Sequence, residues 1–288
     1  MAALDDSLAG AYLERLGIDA RRGEVDAATL AELQRAHQAA VPYETIDIAR
    51  GAPPGIDPAG SARRIVAGRG GYCFHLNGAF SALLRWLGVD ITRHVAGVQG
   101  RSAAEPPGAN GNHLGLTART GGQQWLVDVG TGDGPPEPLP LEAGAHKQDG
   151  CTFTLGPSPL APAGRRLEHD PHGSWILFDV AAEPAEMDDF AAMHEKLSTD
   201  PESGFVRIAT VMRRTDSGAE VLRGCVLTET ETASGVSHLE DVRSSDDWWG
   251  LVIDRFGLAY GDLAPSERAS LWRKVRDTHE TWDAAGRP

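Results

Sequence analysis

The chain has 288 residues, 41% of them hydrophobic and 24% charged, enough to bury a sizeable core and unlike a disordered composition. Lys and Arg number 27 against 41 Asp and Glu, a net charge of -14, which repels nucleic acid and anionic membranes unless one face is locally basic. No run approaches the roughly 18 consecutive apolar residues of a membrane helix, and the N-terminus Met1–Asp6 is acidic where a secretory signal is basic and then apolar. Three cysteines without a CxxC fit neither a disulfide framework nor a zinc ribbon. The expectation is a soluble, reduced, cytoplasmic protein, an enzyme by its size and its many Gly and Pro turns, without nucleic-acid or membrane partners.

Residues 1–89 read as helical. Leu8, Tyr12 and Leu16 repeat at helical spacing and Gly17 sits where that helix ends. Asp26 caps a second helix with Leu30, Leu33 and Ala40 as its stripe, stopped by Pro42. A third starts near Tyr72 or Cys73, buries Leu76, Phe80, Leu83, Leu84 and Leu87, and ends at Gly88. From Val89 the pattern changes to short β runs: Ile91–Val98, His113–Ala118, Trp125–Val129, Cys151–Leu155 and Trp175–Val180. Residues 100–112 and 130–140 read as loops. A helix over 186–197 is followed by strands Val206–Arg213 and Glu220–Thr228 about a turn at Asp216-Ser217-Gly218. The end is helical, Trp248–Phe256 and Ser266–His279. Helices, then strands, then a mixed end give an α+β fold.

Cys73 follows Arg69-Gly70-Gly71-Tyr72 and opens the third helix. Unpaired N–H groups and the positive dipole end favour a thiolate there, yet a lone cysteine also reads as a small buried hydrophobe. A nucleophilic cysteine needs a base and a group to orient that base. His75 is turned roughly 160° from Cys73 on a helix and makes a poor base. His113 and Asp128 fit better. With Gly121-Gly122 at the centre of a hairpin turn, His113 faces Gly130 and Asp128 is a diagonal neighbour on the same face. A slip of one residue would put the two on opposite faces. An Asp inside the apolar run Trp-Leu-Val-Asp-Val needs a buried partner, and His113 can supply it. Otherwise His113 is a solvated strand-end residue and Asp128 a turn cap. No residue set has metal spacing, and His194-Glu195 stands without a second histidine. Gly130-Thr-Gly132-Asp-Gly134 runs into prolines, so it is no dinucleotide fingerprint. Cys151 and Cys225 read as structural residues on strands, and Trp248-Trp249 as helix core.

These residues resemble the arylamine N-acetyltransferase family, which includes amide synthases of natural-product pathways. Arg69-Gly70-Gly71-Tyr72-Cys73-Phe74 with Leu76-Asn77 is similar to its nucleophile motif, and Val41-Pro42-Tyr43-Glu44 to its Val-Pro-Phe-Glu-Asn segment. His113 and Leu126-Val127-Asp128-Val129-Gly130 match its histidine and aspartate positions, and Ser198-Thr199-Asp200-Pro201-Glu202-Ser203-Gly204-Phe205 a later conserved stretch. The resemblance runs from about Tyr12 to Phe256-Gly257-Leu258. It implies a helical bundle over 1–89 carrying Cys73, a β-barrel over 90–200 ending in a linking helix, and an α/β lid over 201–288. It implies a papain-like triad of Cys73, His113 and Asp128, and a ping-pong reaction without bound cofactor. The acyl donor would be acetyl-CoA and the acceptor an arylamine or hydrazine; in the amide-synthase alternative a carrier protein or CoA delivers a longer acyl chain to an aromatic amine. By the same resemblance Arg69 and Glu44 would pair to hold the nucleophile loop, and Tyr43, Phe74 and Thr131 would line the substrate pocket. His75, Thr45 and Thr131 depart from the family pattern, and Thr131 replaces an aromatic, implying a more polar and roomier pocket. A local basic patch for an anionic donor could be Arg207, Arg213 and Arg214. A cysteine hydrolase and a non-catalytic binding module are the remaining classes.

Overall fold

The first helices begin where a short carboxylate closes the first turn. In the computed structural model, which describes residues 4–101, 106–232 and 234–286, Asp5 Oδ1 accepts from Leu8 N at 2.8 Å and opens α1 (Asp6–Leu16). Gly17, at φ 71°, ends it in the left-handed conformation that a residue without Cβ adopts readily. Asp26 Oδ1 accepts from Thr29 N at 2.8 Å and opens α2 (Ala27–Ala40). A two-residue strand β1 (Tyr43–Glu44) and a single turn α3 (Ile46–Ala49) follow. Asp57 and Pro58 start α4 (Pro58–Val66), with Asp57 Oδ2 accepting from Gly60 N at 2.7 Å. Cys73 is the first residue of α5 (Cys73–Trp86). The helical reading of this part holds; β1, α3 and α4 are additions to it.

The barrel strands are β2 (Asp90–Gly100), β3 (His113–Thr120), β4 (Gln123–Val127), β5 (Leu139–Pro140), β6 (Gly144–Gln148), β7 (Cys151–Pro157), β8 (Arg165–Glu168) and β9 (Trp175–Pro184). Every pairing is antiparallel, in the order β5-β4-β3-β2-β9-β8-β7-β6. The two edge strands are joined by residues 141–143 alone, so the sheet is nearly closed. Gly121 and Gly122, at φ 59° and 79°, make the β3–β4 turn. The loop expected over 100–112 includes residues 102–105, and the acidic N-terminus includes residues 1–3; both stretches lie outside the described residues.

After β9 a 3-10 turn (Met187–Phe190), α6 (Ala191–Thr199) and α7 (Gly204–Arg207) lead to a second antiparallel sheet. Its strands are β10 (Thr210–Arg214), β11 (Gly218–Arg223), β12 (Val226–Glu231) and β13 (Ser237–Asp241), in the order β1-β10-β11-β12-β13. α8 (Ser245–Gly250), a π-helical turn (Leu251–Arg255) and α9 (Pro265–Ala284) complete the chain. Two expected strands are corrected here. Residues 206–207 are helical, because the Ser203 hydroxyl caps α7 at Phe205 N. Residues 220–228 form two strands, because Gly224 turns the chain at φ 58°, and Cys225 lies in that turn. Among the described residues no helix is long and apolar enough to cross a membrane.

Among the described residues, three hydrophobic clusters hold the molecule. Tyr12, Leu30, Leu33, Phe80 and Leu84 of the helices pack with Leu114, Leu116 and Val127 of the barrel wall. Phe153, Leu155, Leu167, Trp175 and Phe178 fill the barrel. Val211, Leu222, Trp248, Trp249, Val252 and Tyr260 form the C-terminal core, which also takes in Ile46 and Ala49 of α3. The nucleophile helix is thus anchored to the barrel, and the segment before it to the C-terminal sheet.

Candidate active site

The start of α5, the end of β3 and the segment after β4 converge on Cys73, which is 4% exposed. The close approach of that segment depends on Gly130: a Cβ there would lie 2.9 Å from Cys73 Cα and 2.7 Å from Asn77 Nδ2. The β3–β4 ladder pairs Leu116 with Val127 and Thr120 with Gln123. Continued along the strands, this register sets His113 opposite Gly130, as the hairpin arithmetic expects. His113 Nε2 lies 2.6 Å from Asp128 Oδ2, both side chains 2% exposed. With Nε2 engaged by the carboxylate, the other ring nitrogen is left for Cys73, whose interaction adds to that of Asp128 in raising the His113 pKa. The thiol donates to Asn112 O at 3.6 Å.

Asp128 is saturated with donors. Oδ2 accepts from His113 and from Asn77 Nδ2 at 3.0 Å; Oδ1 accepts from Gly130 N at 2.9 Å and Thr131 Oγ1 at 3.1 Å. Burial pushes its carboxyl up, but the His113 charge and these hydrogen bonds outweigh it, and the net shift is downward. Burial likewise pulls His113 down, but Asp128 and then Cys73 raise it to about 10. The imidazolium–carboxylate pair is therefore the form the fold supports at neutral pH.

Several supporting residues carry no role in the sequence reading. Asn77, one turn after Cys73, donates to Leu114 O and Asp128, and its Oδ1 accepts from Val129 N at 2.9 Å. Its (i, i+4) spacing from Cys73 is the available signal. Gln34 and Gln38, on the buried face of α2, hold the other side of the segment. Gln38 Nε2 donates to Asp128 O and Pro135 O, both at 3.0 Å, and Gln34 Oε1 accepts from Asp128 N at 3.3 Å. Two glutamines on an apolar helix stripe are the trace they leave in the sequence.

The nucleophile loop is held differently from the expected pairing. Arg69 does not pair with Glu44: its Nη2 donates to Asp262 Oδ1 at 2.8 Å, and its guanidinium stacks 3.7 Å from the Tyr260 ring. Tyr260 OH donates to Glu44 Oε1 at 3.1 Å, so the aromatic side chain stands between the two. Glu44 pairs instead with Arg64 of α4 at 3.5 Å and accepts from Ile46 N at 2.7 Å. The loop touches this network through Gly70, whose added Cβ would lie 2.1 Å from Pro42 O, and through Glu44 N, which donates to Gly71 O.

Of the three expected pocket residues, Tyr43 feels the nucleophile: burial and then the charge of Cys73 push its hydroxyl's pKa up. Phe74 is fully buried against Tyr72, Phe190 and His194, and offers a pocket no surface. Thr131 turns its hydroxyl to Asp128. The expected basic patch does not assemble either. Arg214 is buried and donates to Asp133 O and Gly134 O, Arg213 pairs with Glu220, and Arg207 approaches Glu202. His75 lies outside the constellation. Its Nδ1 accepts from Tyr72 N at 3.4 Å and its Nε2 faces Pro54 O at 3.3 Å, while Tyr72 OH meets His194 Nδ1. Among the described residues no group of three His, Cys, Asp or Glu is placed to hold a metal ion.

An α+β molecule with a near-closed barrel and a cysteine beside a buried His–Asp pair is the setting of a thiol-dependent group-transfer enzyme. The family model described as N-acetyltransferase matches residues 26–262. The arylamine N-acetyltransferase of Mycolicibacterium smegmatis is 30% identical over 277 residues, covering 93% of this chain and 98% of that protein. Proansamycin X synthase of Amycolatopsis mediterranei is 38% identical over 152 residues, 50% of this chain and 56% of that protein. The M. smegmatis enzyme's structure superposes with a TM-score of 0.83 at 29% identity, over 94% of this chain and 98% of that one. The Mycobacterium marinum enzyme in complex with CoA shares the fold, TM-score 0.83 at 24% identity over 93% and 98% of the two chains. The chain belongs to the arylamine N-acetyltransferase family, and it is an acyltransferase.

Proposed function

We propose that the protein transfers an acyl group from a thioester, acetyl-CoA in the simplest case, through acyl-Cys73 to an aromatic amine. The observation that carries this reading is the buried His113–Asp128 pair, 2.6 Å apart, on a segment whose Gly130 packs against the Cys73 backbone. Cys73 reacts as the thiolate ion-paired with the His113 imidazolium, its proton already on the ring, and attacks the thioester carbonyl. The developing oxyanion meets the backbone N–H of Cys73, which α5 leaves without an intrahelical acceptor. The C–S bond to the donor breaks, and His113 protonates the departing thiol. The amine then attacks acyl-Cys73, its proton passes to His113, and the Cys73 thiolate leaves. Asp128 fixes the imidazole orientation and stabilises its charged form throughout. Tyr43, which feels the charge of Cys73, is the aromatic wall for the acyl group. The corresponding domain division is 1–89, 90–200 and 201–288, and the site of action is the cytoplasm, where CoA thioesters and reduced thiols coexist.

The test is intact mass after mixing with acetyl-CoA, then with an arylamine. A single acetyl adduct, discharged by the amine and absent in Cys73→Ala, is the expected result; full acylation of Cys73→Ala overturns it. A second reading, amide synthesis from a CoA-bound or carrier-protein-bound acyl chain, is favoured by the similarity to proansamycin X synthase and by a threonine rather than an aromatic at 131. Adducts from longer acyl-pantetheine thioesters alone select that reading.

A further inference from the structure

A groove runs between α2, the segment after β4 and the β10–β11 turn, and none of Cys73, His113 and Asp128 lines it. It encloses about 770 Å³, and Ala28, Ala31, Ala39, Trp125, Pro136 and Pro138 give it apolar walls. Its charges are unequally engaged. Arg35 is used up by Glu137 at 2.7 Å and Asp149 at 2.8 Å. Arg214, 8% exposed, is bound to the carbonyls of Asp133 and Gly134. Glu32 and Asp216 are exposed on the lining and have no ion-pair partner among the described residues. Carbonyl oxygens leave the Arg214 charge in place at the buried end, but the two open carboxylates at the exposed end keep the lining net negative, a setting that attracts an organic cation beside an indole. The wall also contains three buried polar atoms without hydrogen-bond partners: Gln38 Oε1, Trp125 Nε1 and Arg214 Nη1. Gln38 is only 5% exposed. Unpaired buried groups of both kinds, an acceptor and two donors, suit a hydroxyl or amide that donates and accepts at once.

We propose that this groove is a second binding site, separate from the Cys73 centre, for a flat aromatic ammonium ion with a hydroxyl or amide at its far end. The cationic head lies toward Glu32 and Asp216, the ring over Trp125 and the alanine face of α2, and the polar end toward Gln38 and Arg214. Nothing in this assignment depends on acyl transfer at Cys73.

The probe is (3-hydroxyphenyl)trimethylammonium, whose quaternary nitrogen has no proton to exchange for an acyl group, titrated calorimetrically without thioester present. One-to-one saturable binding is expected, equal in the wild type and in Cys73→Ala. Glu32→Gln with Asp216→Asn, both on the exposed rim, should weaken it by roughly fivefold or more, and Ala28→Trp, which fills the groove, should remove it. Absence of saturable binding, unchanged affinity in the rim variant, survival in Ala28→Trp, or loss in Cys73→Ala would each overturn the assignment.

Discussion

Two buried histidines, one on the helix that Cys73 opens and one on β3, take opposite charge states. His113, on β3, is raised to about 10; His75, on the first turn of α5, is lowered to about 3. Burial pulls both down, and for His75 the charge of Arg64 adds to the pull. The difference is one carboxylate: Asp128 lies 2.6 Å from His113, whereas the ring nitrogens of His75 meet a backbone N–H and a carbonyl. Proximity in sequence to the nucleophile therefore says little about which histidine serves it; the partner on the far ring nitrogen decides.

The sharpest way to break this contrast is Asp128→Asn. Acylation of Cys73 should slow by about 10³- to 10⁴-fold, and the His113 proton, followed by NMR, should titrate below its ordinary value. A rate close to wild type would remove Asp128 from the mechanism. The same variant tests stability. Because the native state holds the His113 proton more tightly than the unfolded chain, this contribution is complete below pH 6.5 and is lost as pH rises toward about 10. Asp128 contributes above 3.8, and its share is lost as pH falls through its lowered native value. The melting temperature of the wild type should therefore fall between pH 6.5 and 10, and that slope should flatten in Asp128→Asn.

His75→Gln sharpens the other half. A neutral buried histidine has the reverse dependence: its contribution is complete above pH 6.5 and is lost as acid protonates the unfolded chain down to about 3. Glutamine can accept from Tyr72 N and donate to Pro54 O without titrating, so the acid limb of the melting curve should become shallower. His37, also lowered to about 3, keeps the rest of that slope. A collapse of acylation like that of Asp128→Asn would make His75 the base instead. The smallest expected effect belongs to Thr131→Val, which removes one of four donors to Asp128 while Gly130 N still serves Oδ1. A loss of about fivefold in acylation rate, or about 1 kcal/mol, is expected from single-turnover kinetics.

The sequence made the hairpin legible because two adjacent glycines dictate its turn, and the turn dictates which residues share a face. Cys73, His113 and Asp128 could be brought together on that basis. Pairings across long separations left no such local mark. β1 is two residues long and finds its partner at Met212, and the Arg69–Tyr260–Glu44 arrangement spans most of the chain. The Gly224 turn was hidden inside an apolar run that reads as one strand, whereas Asp57-Pro58 did carry a helix-start signal for α4 that the hydrophobic pattern alone did not bring out. Phe74 shows the limit of motif matching: the residue beside the nucleophile is core.

The pairing of Tyr43 with Met212 also sets an order of events during synthesis. The loop before Cys73 takes its backbone partner from Tyr43 and Glu44, whose own sheet partner emerges from the ribosome only after 168 intervening residues, roughly ten to thirty seconds later at ordinary elongation rates. A nascent chain halted before β10 would carry the cysteine, the histidine and the aspartate, yet lack the strand that fixes the loop between them, so reactivity at the thiol arrives with the last third of the polypeptide.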